Sequence, residues 1–261
     1  MPHQSSAVLV GVEMLKMRYT VKCPLKDVND VLEVSCPLCH TWQMDEINQR
    51  SVSAKEKIAQ KGKARGQGVG NSQGEDRLPP GQSLVDNQSD FPVLDLGIQP
   101  EVKADEWRIK IFGACESPVE LDFQQLAKIG IVDLVTDFHC VTKWSTYDNP
   151  WRGVPMKKII ELARPSSDAK HVLFHGYDEY TTNVPLEDCE REDCLLATHW
   201  RDKELNVEHG GPVRGMIPHL YAWKSAKWVS GIEFLTSDKP GYWEVRGYHN
   251  YGDPWKEERY G

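Results

Sequence analysis

Residues 136–145 read TDFHCVTKWS, and the interpretation of the whole chain starts from them. Apolar and polar side chains alternate over 132–138, which predicts a strand that runs into Cys140. A cysteine there, opening a polar and aromatic loop, is placed to offer a thiolate to a site, and charged His139 and Lys143 would lower its pKa. The alternative that the local pattern leaves open is a buried core cysteine beside an outward histidine.

A second motif, EHGGPVRGMIP, occupies residues 208–218. Its two glycines allow the backbone to approach a ligand closely, and a short apolar strand then carries Arg214. A buried arginine needs an anionic partner, and its planar fork suits a phosphate or a carboxylate. The motif alone does not distinguish a phosphate ligand from an internal Arg–Asp pair.

The third motif is WKSAKWVSGIEF at residues 223–234, where two lysines interleave with two tryptophans. Ser225 and Lys227 offer hydroxyl and ammonium donors that could hold a phosphate. The alternative is a solvated strand edge that carries charges.

Short elements of both kinds alternate downstream of residue 106, so the fold class predicted is α+β. Helices are predicted from Asp122 to Lys128, ended by Gly130, and over 156–163 between Pro155 and Pro165. Further strands are predicted over 107–111, 172–174, 195–200, 213–217 and 228–235. The chain contains neither GxGxxG nor GxxxxGK[ST], so a βαβ dinucleotide-binding fold is not expected.

Composition excludes several classes of protein. The 261 residues carry a formal net charge of -8, which argues against a nucleic-acid binder because phosphate contacts need a basic face. No apolar run approaches the roughly 20 residues of a membrane-spanning helix. The first twenty residues lack the features of a secretory leader, so a cytoplasmic protein is expected.

The charge and tryptophan content divide the chain into three parts. Residues 1–61 are predicted to be a small N-terminal appendage, 62–76 a flexible Gly-rich linker, and 77–261 the main domain. Eight of the nine tryptophans and all of the negative net charge lie in the main domain.

The appendage contains the knuckle Cys36-Pro37-Leu38-Cys39, followed directly by His40. Zinc bound by Cys23, Cys36, Cys39 and a fourth ligand is one interpretation, a simple thiol pair is another, and covalent haem attachment is a third. The odd total of seven cysteines indicates thiols or metal ligands rather than a disulfide framework. Cys115, Cys189 and Cys194 are expected to be ordinary thiols.

In this order and spacing, four motifs resemble the molybdopterin-binding domain of the sulfite oxidase family. They are DFHCVTKWS at 137–145, HGGPVRGMIP at 209–218, YAWKSAKWVSGIEF at 221–234 and GYWEVRGYHNYGDPW at 241–255. The similarity covers residues 77–261 and is greatest to the small prokaryotic sulfite oxidase-like oxidoreductases. It implies the mixed α+β fold of that family and a molybdenum-molybdopterin cofactor.

The resemblance also implies roles for single residues. Cys140 matches the family's protein ligand to molybdenum, a soft thiolate, and Tyr248 matches a catalytic tyrosine near the metal. Asp178 matches an aspartate placed against the cofactor. The residues that match the phosphate-binding positions are His209, Arg214, Ser225, Ala226 and Lys227.

The chain departs from sulfite oxidases where those enzymes carry arginines around the substrate. Residues 93–96 read VLDL and residues 141–144 read VTKW, without arginine. We therefore expect a more aromatic, less cationic substrate pocket that includes Lys143 and Trp144.

The predicted function is oxygen-atom transfer to or from a small molecule, with electrons exchanged with an external donor or acceptor and no nucleic-acid or membrane partner. The alternatives are a sulfite-oxidising enzyme and a cofactor-binding or interaction protein without turnover.

Overall fold

The computed structural model describes residues 77–85 and 92–261. The appendage, the linker and the predicted zinc ligands Cys23, Cys36 and Cys39 lie outside these residues. In the described part, eleven strands form: β1 Ser83–Leu84, β2 Arg108–Gly113, β3 Val119–Asp122, β4 Val132–His139, β5 Trp144–Pro155, β6 His171–Gly176, β7 Thr181–Pro185, β8 Leu195–Trp200, β9 Lys203–Glu204, β10 Arg214–Met216 and β11 Val229–Leu235. The α-helices there are α1 Phe123–Ile129, α2 Met156–Ala163 and α3 Leu186–Cys189.

The strands form two mixed sheets. One has the order β1-β5-β8-β10, with β4 also paired to β5 and β9 to β8, and the other has the order β3-β2-β11-β6-β7. Most neighbouring strands are antiparallel, whereas β1 with β5 and β2 with β11 are parallel. Because the sheets are mixed and the helices few and short, the predicted α+β class is confirmed.

Local sequence signals account for the two predicted helices. Asp122 caps α1 by accepting a hydrogen bond from the backbone of Gln125, whose side chain in turn bonds the backbone of Asp122. This reciprocal capping box satisfies two backbone donors that a helix N-terminus otherwise leaves unpaired. In α2 the buried positions Met156, Ile159, Ile160 and Ala163 follow the helical spacing on which the prediction rested.

The longest strand differs from the prediction. The polar and aromatic loop expected after Cys140 is only a tight turn, and β5 begins at Trp144 and runs for twelve residues. It pairs with β4, β8 and β1, so its backbone N–H and C=O groups form hydrogen bonds with three neighbouring strands. Gly153 permits the contact with β8, because a Cβ atom there would lie 2.1 Å from the carbonyl oxygen of Leu196.

The buried apolar side chains form two clusters. The larger one includes the inward residues of β2, β6 and β11 together with the apolar faces of α1 and α2. The smaller one is largely aromatic and lies around the β4–β5 turn, with Phe138, Trp144, Trp151, Tyr221 and Trp223 as its largest members. A cavity opens beside this second cluster.

No helix in the described residues is both long enough and apolar enough to cross a membrane.

Candidate active site

One cavity brings together residues from all four motifs. Its lining includes Cys140, Trp144, Asp178, His209, Arg214, Ser225, Lys227 and Tyr248 from the predicted set, and the loop 92–96 from the segment without arginine. Two predicted residues do not line it. Lys143 is exposed, and Ala226 is buried with its backbone carbonyl bonded to the amide of Gly215 at 2.8 Å.

The β4–β5 turn holds Cys140 by its backbone. The amide of Cys140 donates to the carbonyl of Trp144 at 2.9 Å, and its own carbonyl accepts from the amide of Lys143 at 3.1 Å and from Nε2 of Gln82 at 3.0 Å. The side chain is 3% exposed, and the hydroxyl of Thr142 lies 3.2 Å from Sγ. A thiol at the cavity wall is therefore fixed by strand pairing rather than by a mobile loop.

The two side chains expected to bring positive charge to this thiol are His139 and Lys143. Burial lowers the pKa of His139 to about 4, so its ring is neutral at pH 7 and Nδ1 bonds Oγ of Ser145 at 2.9 Å. Lys143 has a positive φ of 70° in the turn, and its exposed side chain does not line the cavity. The condition that His139 be charged is therefore not met at pH 7, because the ring lies among buried neighbours.

Arg214 is buried, with 4% of its surface exposed, and its guanidinium contacts no carboxylate in the described part of the chain. Three of its donors bond backbone carbonyls of Gly215, His209 and Ser225, at 3.4, 3.0 and 3.1 Å. Burial lowers its pKa to about 10. A buried cation without a counter-charge suits an anionic ligand in the cavity, and an internal Arg–Asp pair is excluded within the described residues.

Beside Arg214, three further groups face the same end of the cavity. Nζ of Lys227 donates to the carbonyl of Glu208 at 2.9 Å and lies 3.9 Å from Oδ2 of Asp95. Burial, together with the nearby charges of Arg214 and Lys227, lowers the pKa of His209 to about 4. Ser225 Oγ accepts from the amide of Ile217 at 2.9 Å and keeps its own proton to donate. This set fits the phosphate of a molybdopterin, because it offers two cations, a hydroxyl and an imidazole.

Asp178 lies at the same end of the cavity. Burial raises its pKa to about 6, although the amide of Tyr180 donates to Oδ1 at 3.2 Å and Lys227 opposes the shift. The carboxyl group is therefore close to half protonated in weakly acidic solution, where it both donates and accepts hydrogen bonds.

The cavity lining also contains a cluster of aromatic rings. The ring centroid of Tyr248 lies 5.2 Å from that of Trp223 and 4.9 Å from that of Trp243, and all three rings line the cavity with Trp144. The phenol of Tyr180 donates to the carbonyl of Trp223 at 2.6 Å, which fixes the backbone of that cluster.

The lining thus combines a cationic group around Arg214 and Lys227, here called the cationic end, with the rings around Tyr248, here called the aromatic end. Two further lining rings, Phe138 and Trp228, lie beside these two cations.

Sequence reasoning missed several groups that support the site. Gln82 and Thr142 bond Cys140, and Trp223 donates its indole N–H to the buried carboxylate of Glu244 at 2.9 Å. Of these groups, Thr142 is the one close enough in sequence to Cys140, two residues after it, for a local pattern to have indicated the contact. Gln82 and Glu244 lie far along the chain from the groups they bond, so no spacing rule indicates them.

The comparisons with known proteins agree with this geometry. The family model described as "Oxidoreductase molybdopterin binding domain" matches residues 96–243, more than half of the chain. The chain is 40% identical over 185 residues to the uncharacterized oxidoreductase YuiH of Bacillus subtilis, which covers 70% of this chain and 92% of that protein.

Two further matches are partial. Over 163 residues the chain is 29% identical to the protein-methionine-sulfoxide reductase catalytic subunit MsrP of Campylobacter jejuni, covering 56% of this chain and 54% of that protein. Among solved structures, the sulfane dehydrogenase SoxCD of Paracoccus pantotrophus superposes with a TM-score of 0.50 at 20% identity, covering 53% of this chain and 40% of that one. The superposition shows a shared fold.

The predicted resemblance is thus confirmed: this chain belongs to the molybdopterin-binding oxidoreductase family of the sulfite oxidase type.

Proposed function

We propose that the protein is a molybdenum-molybdopterin enzyme that removes an oxygen atom from a small neutral substrate of the sulfoxide class. The observation that carries the proposal is one cavity in which Cys140 and the uncompensated Arg214 face an aromatic wall. Two relatives support the reaction class by name. One is named as the catalytic subunit of a protein-methionine-sulfoxide reductase, and the other carries the name of a putative subunit of such a reductase.

Cofactor binding is assigned to the cationic end of the cavity. Arg214 and Lys227 supply charge to the phosphate, Ser225 supplies a hydroxyl, and His209 is neutral until an adjacent anion raises its pKa. Cys140 supplies the thiolate, which Thr142 stabilises by donating a hydrogen bond to Sγ. When bound, the molybdenum supplies the two-electron chemistry of oxygen-atom transfer.

Substrate binding is assigned to the aromatic end. Trp144, Trp223 and Trp243 offer apolar surface to the carbon groups of a sulfoxide, and the phenol of Tyr248 can donate a proton or a hydrogen bond to its oxygen. Reduction of a sulfoxide to a thioether and water consumes two electrons and two protons. The electrons come from an external redox partner.

Sulfite is a poorer fit for this cavity. Its two negative charges require cationic groups at the substrate end, whereas residues 93–96 and 141–144 carry no arginine and Lys143 does not line the cavity. The basic side chains that line the described cavity, Arg214, Lys227 and His209, are already assigned to the cofactor.

The test is an assay of the purified protein with both substrates. We expect molybdenum and pterin in the protein, reduction of small aryl sulfoxides by a reduced viologen dye, and sulfite oxidation at least tenfold slower. Faster oxidation of sulfite than reduction of sulfoxide would replace the proposal with a sulfite-oxidising enzyme. Full cofactor content without turnover of either would indicate a cofactor-binding protein instead.

A further inference from the structure

A cluster of three metal-ligating side chains lies away from the cavity. One ligand atom each of Asp193, Cys194 and His219 lies within 4.8 Å of the others. Asp193 and Cys194 directly precede β8, and His219 belongs to the connection between β10 and Trp223. Cys194 is fully buried, and none of the three lines the cavity.

One ring nitrogen of His219 is hydrogen-bonded, and the other has no hydrogen-bond partner in the described residues. Its Nε2 lies 2.9 Å from Oδ1 of Asp188, and Oδ1 also accepts from the hydroxyl of Tyr251 at 3.1 Å. Its Nδ1 is buried and has no hydrogen-bond partner within the described residues. Since a buried nitrogen without a partner is costly, this lone pair indicates a missing ligand. A carboxylate on the far nitrogen is the usual support of a metal-bound histidine.

The thiol of Cys194 adds a sulfur donor. Sγ lies 3.2 Å from the carbonyl oxygen of Asp188 and 3.9 Å from Oδ1 of Asp193. In a tetrahedral zinc site, ligand atoms bound at about 2.0 to 2.3 Å from the metal are separated by about 3.5 Å, so only small shifts are needed.

Arg191 is the group that competes with a metal for this cluster. Its Nε and Nη2 bond the two oxygens of Asp193 at 3.0 and 3.2 Å. The arginine side chain is 49% exposed, so it can turn into solvent when a cation binds.

We propose that Asp193, Cys194 and His219 form a second metal site, for a zinc-class divalent cation, with Asp188 as the positioning residue for His219. The sulfur, nitrogen and oxygen donors match the preferences of zinc, and three protein ligands leave a fourth position for water. Binding releases the Cys194 proton to solvent, with no change of oxidation state. The proposal is independent of the reaction assigned to the cavity.

This site would cross-link three segments. Asp188 lies in α3, the two adjacent ligands directly precede β8, and His219 precedes the segment that carries Trp223 and Ser225 to the cavity. A bound cation would therefore stabilise the fold beneath the cavity wall.

The experiment is a cobalt titration of the full-length protein carrying Cys36→Ser and Cys39→Ser, which removes the other cysteine pair predicted to bind metal. We expect one equivalent of Co²⁺ with a thiolate-to-cobalt absorption band, displaced by Zn²⁺. Cys194→Ser should abolish the band, and Asp188→Asn should weaken binding about 10- to 100-fold. Arg191→Gln should tighten binding, since it removes the competitor.

Two matched controls complete the design. Cys115→Ser, at a thiol outside the cluster, should leave the band and the affinity unchanged. If Cys194→Ser fails to fold, His219→Gln decides the question through a loss of affinity of at least tenfold. A folded parent protein that binds no cobalt, or a band that survives in Cys194→Ser or at full affinity in His219→Gln, would overturn the proposal.

Discussion

The ammonium nitrogen of Lys224 lies 2.5 Å from Oε1 of Glu244, and these side chains are 0% and 1% exposed. The same nitrogen donates to the carbonyl oxygens of Asn183 and Asn250 at 2.8 and 2.7 Å. Oε1 of Glu244 also accepts the indole N–H of Trp223, so a buried ion pair supports the aromatic wall of the cavity.

Removing one partner of this pair should be severely destabilising. We expect Glu244→Ala to lower the free energy of unfolding by about 3–5 kcal/mol, because it leaves the Lys224 charge buried without a counter-charge. Urea denaturation of the purified variant measures this directly.

The double variant Lys224→Met, Glu244→Leu is the control, and it should recover much of the loss since neither charge remains. Glu192→Ala, which breaks the exposed pair with Lys157, should change the free energy of unfolding far less than Glu244→Ala does, because solvent screens that pair. An equal loss in Glu244→Ala and Glu192→Ala would contradict the buried-pair argument.

Cys140→Ser should abolish oxygen-atom transfer while leaving the fold intact. The hydroxyl is nearly isosteric with the thiol, but oxygen is a harder donor and would shift the potential of the metal. Dye-linked turnover per molybdenum is the measurement, with Cys115→Ser as the thiol control. Full turnover by the serine variant would remove Cys140 from the mechanism.

Arg214→Met should reduce cofactor content rather than only turnover. Loss of one charge-assisted hydrogen bond to a phosphate costs about 1.5–3 kcal/mol, or roughly ten- to a hundredfold in affinity. Molybdenum per chain at limiting cofactor is the quantity to compare, with exposed Arg152→Met as the matched control. Parental molybdenum content in Arg214→Met would show that this charge does not hold the phosphate.

The raised pKa of Asp178 predicts a pH effect on stability. Its ordinary pKa is 3.8, and burial raises the folded value to about 6. The folded protein therefore binds this proton more tightly than the unfolded chain does. The free energy of unfolding should fall as pH rises from about 4 to 6, and Asp178 should cause no further change above pH 6.

We expect Asp178→Asn to gain stability relative to the parent protein across this interval, in thermal melts of cofactor-free protein. Asp168→Asn, at an exposed carboxyl group, serves as the comparison. If the difference between Asp178→Asn and the parent does not change with pH, the carboxyl group is not titrating there.

A chain that begins at Arg77 should fold and bind molybdopterin on its own. Arg77 is itself anchored in the domain, since its guanidinium pairs with Asp137 and Asp148 and lies 4.4 Å from the centroid of the Tyr147 ring. The measurements are solubility, molybdenum content and turnover beside the full-length protein. A shortened chain that is insoluble next to soluble full-length protein would place the domain boundary upstream.

The sequence predicted those elements whose signals are local. The α1 helix carries its capping box within four residues, and β4 shows simple alternation up to Cys140. The strand β5 was missed because Asp148, Asn149 and Pro150 are typical of turns, and pairing with distant strands overrides that local preference.

The site was predictable to a similar extent. The family resemblance implied that Cys140, Arg214 and Tyr248 share one cofactor site, and in the structure all three line one cavity. Charge states were not predictable, because the neutrality of His139 and His209 depends on burial by residues far along the chain. The orientation of Lys143 depends on the tight β4–β5 turn, which replaced the expected loop.

The residues that line the cavity come both from paired strands and from segments outside the two sheets. Cys140 and Arg214 sit in or beside paired strands, whereas residues 92–96 and the aromatic pair Trp243 and Tyr248 come from segments outside the two sheets. Residues 92–96 and Trp243 can therefore vary without unpairing the strands that hold Cys140 and Arg214. A library that varies residues 92–94, Leu96 and Trp243, and keeps both Tyr248 and the Asp95 that lies beside Lys227, would sample new substrates while Cys140 and Arg214 stay in place.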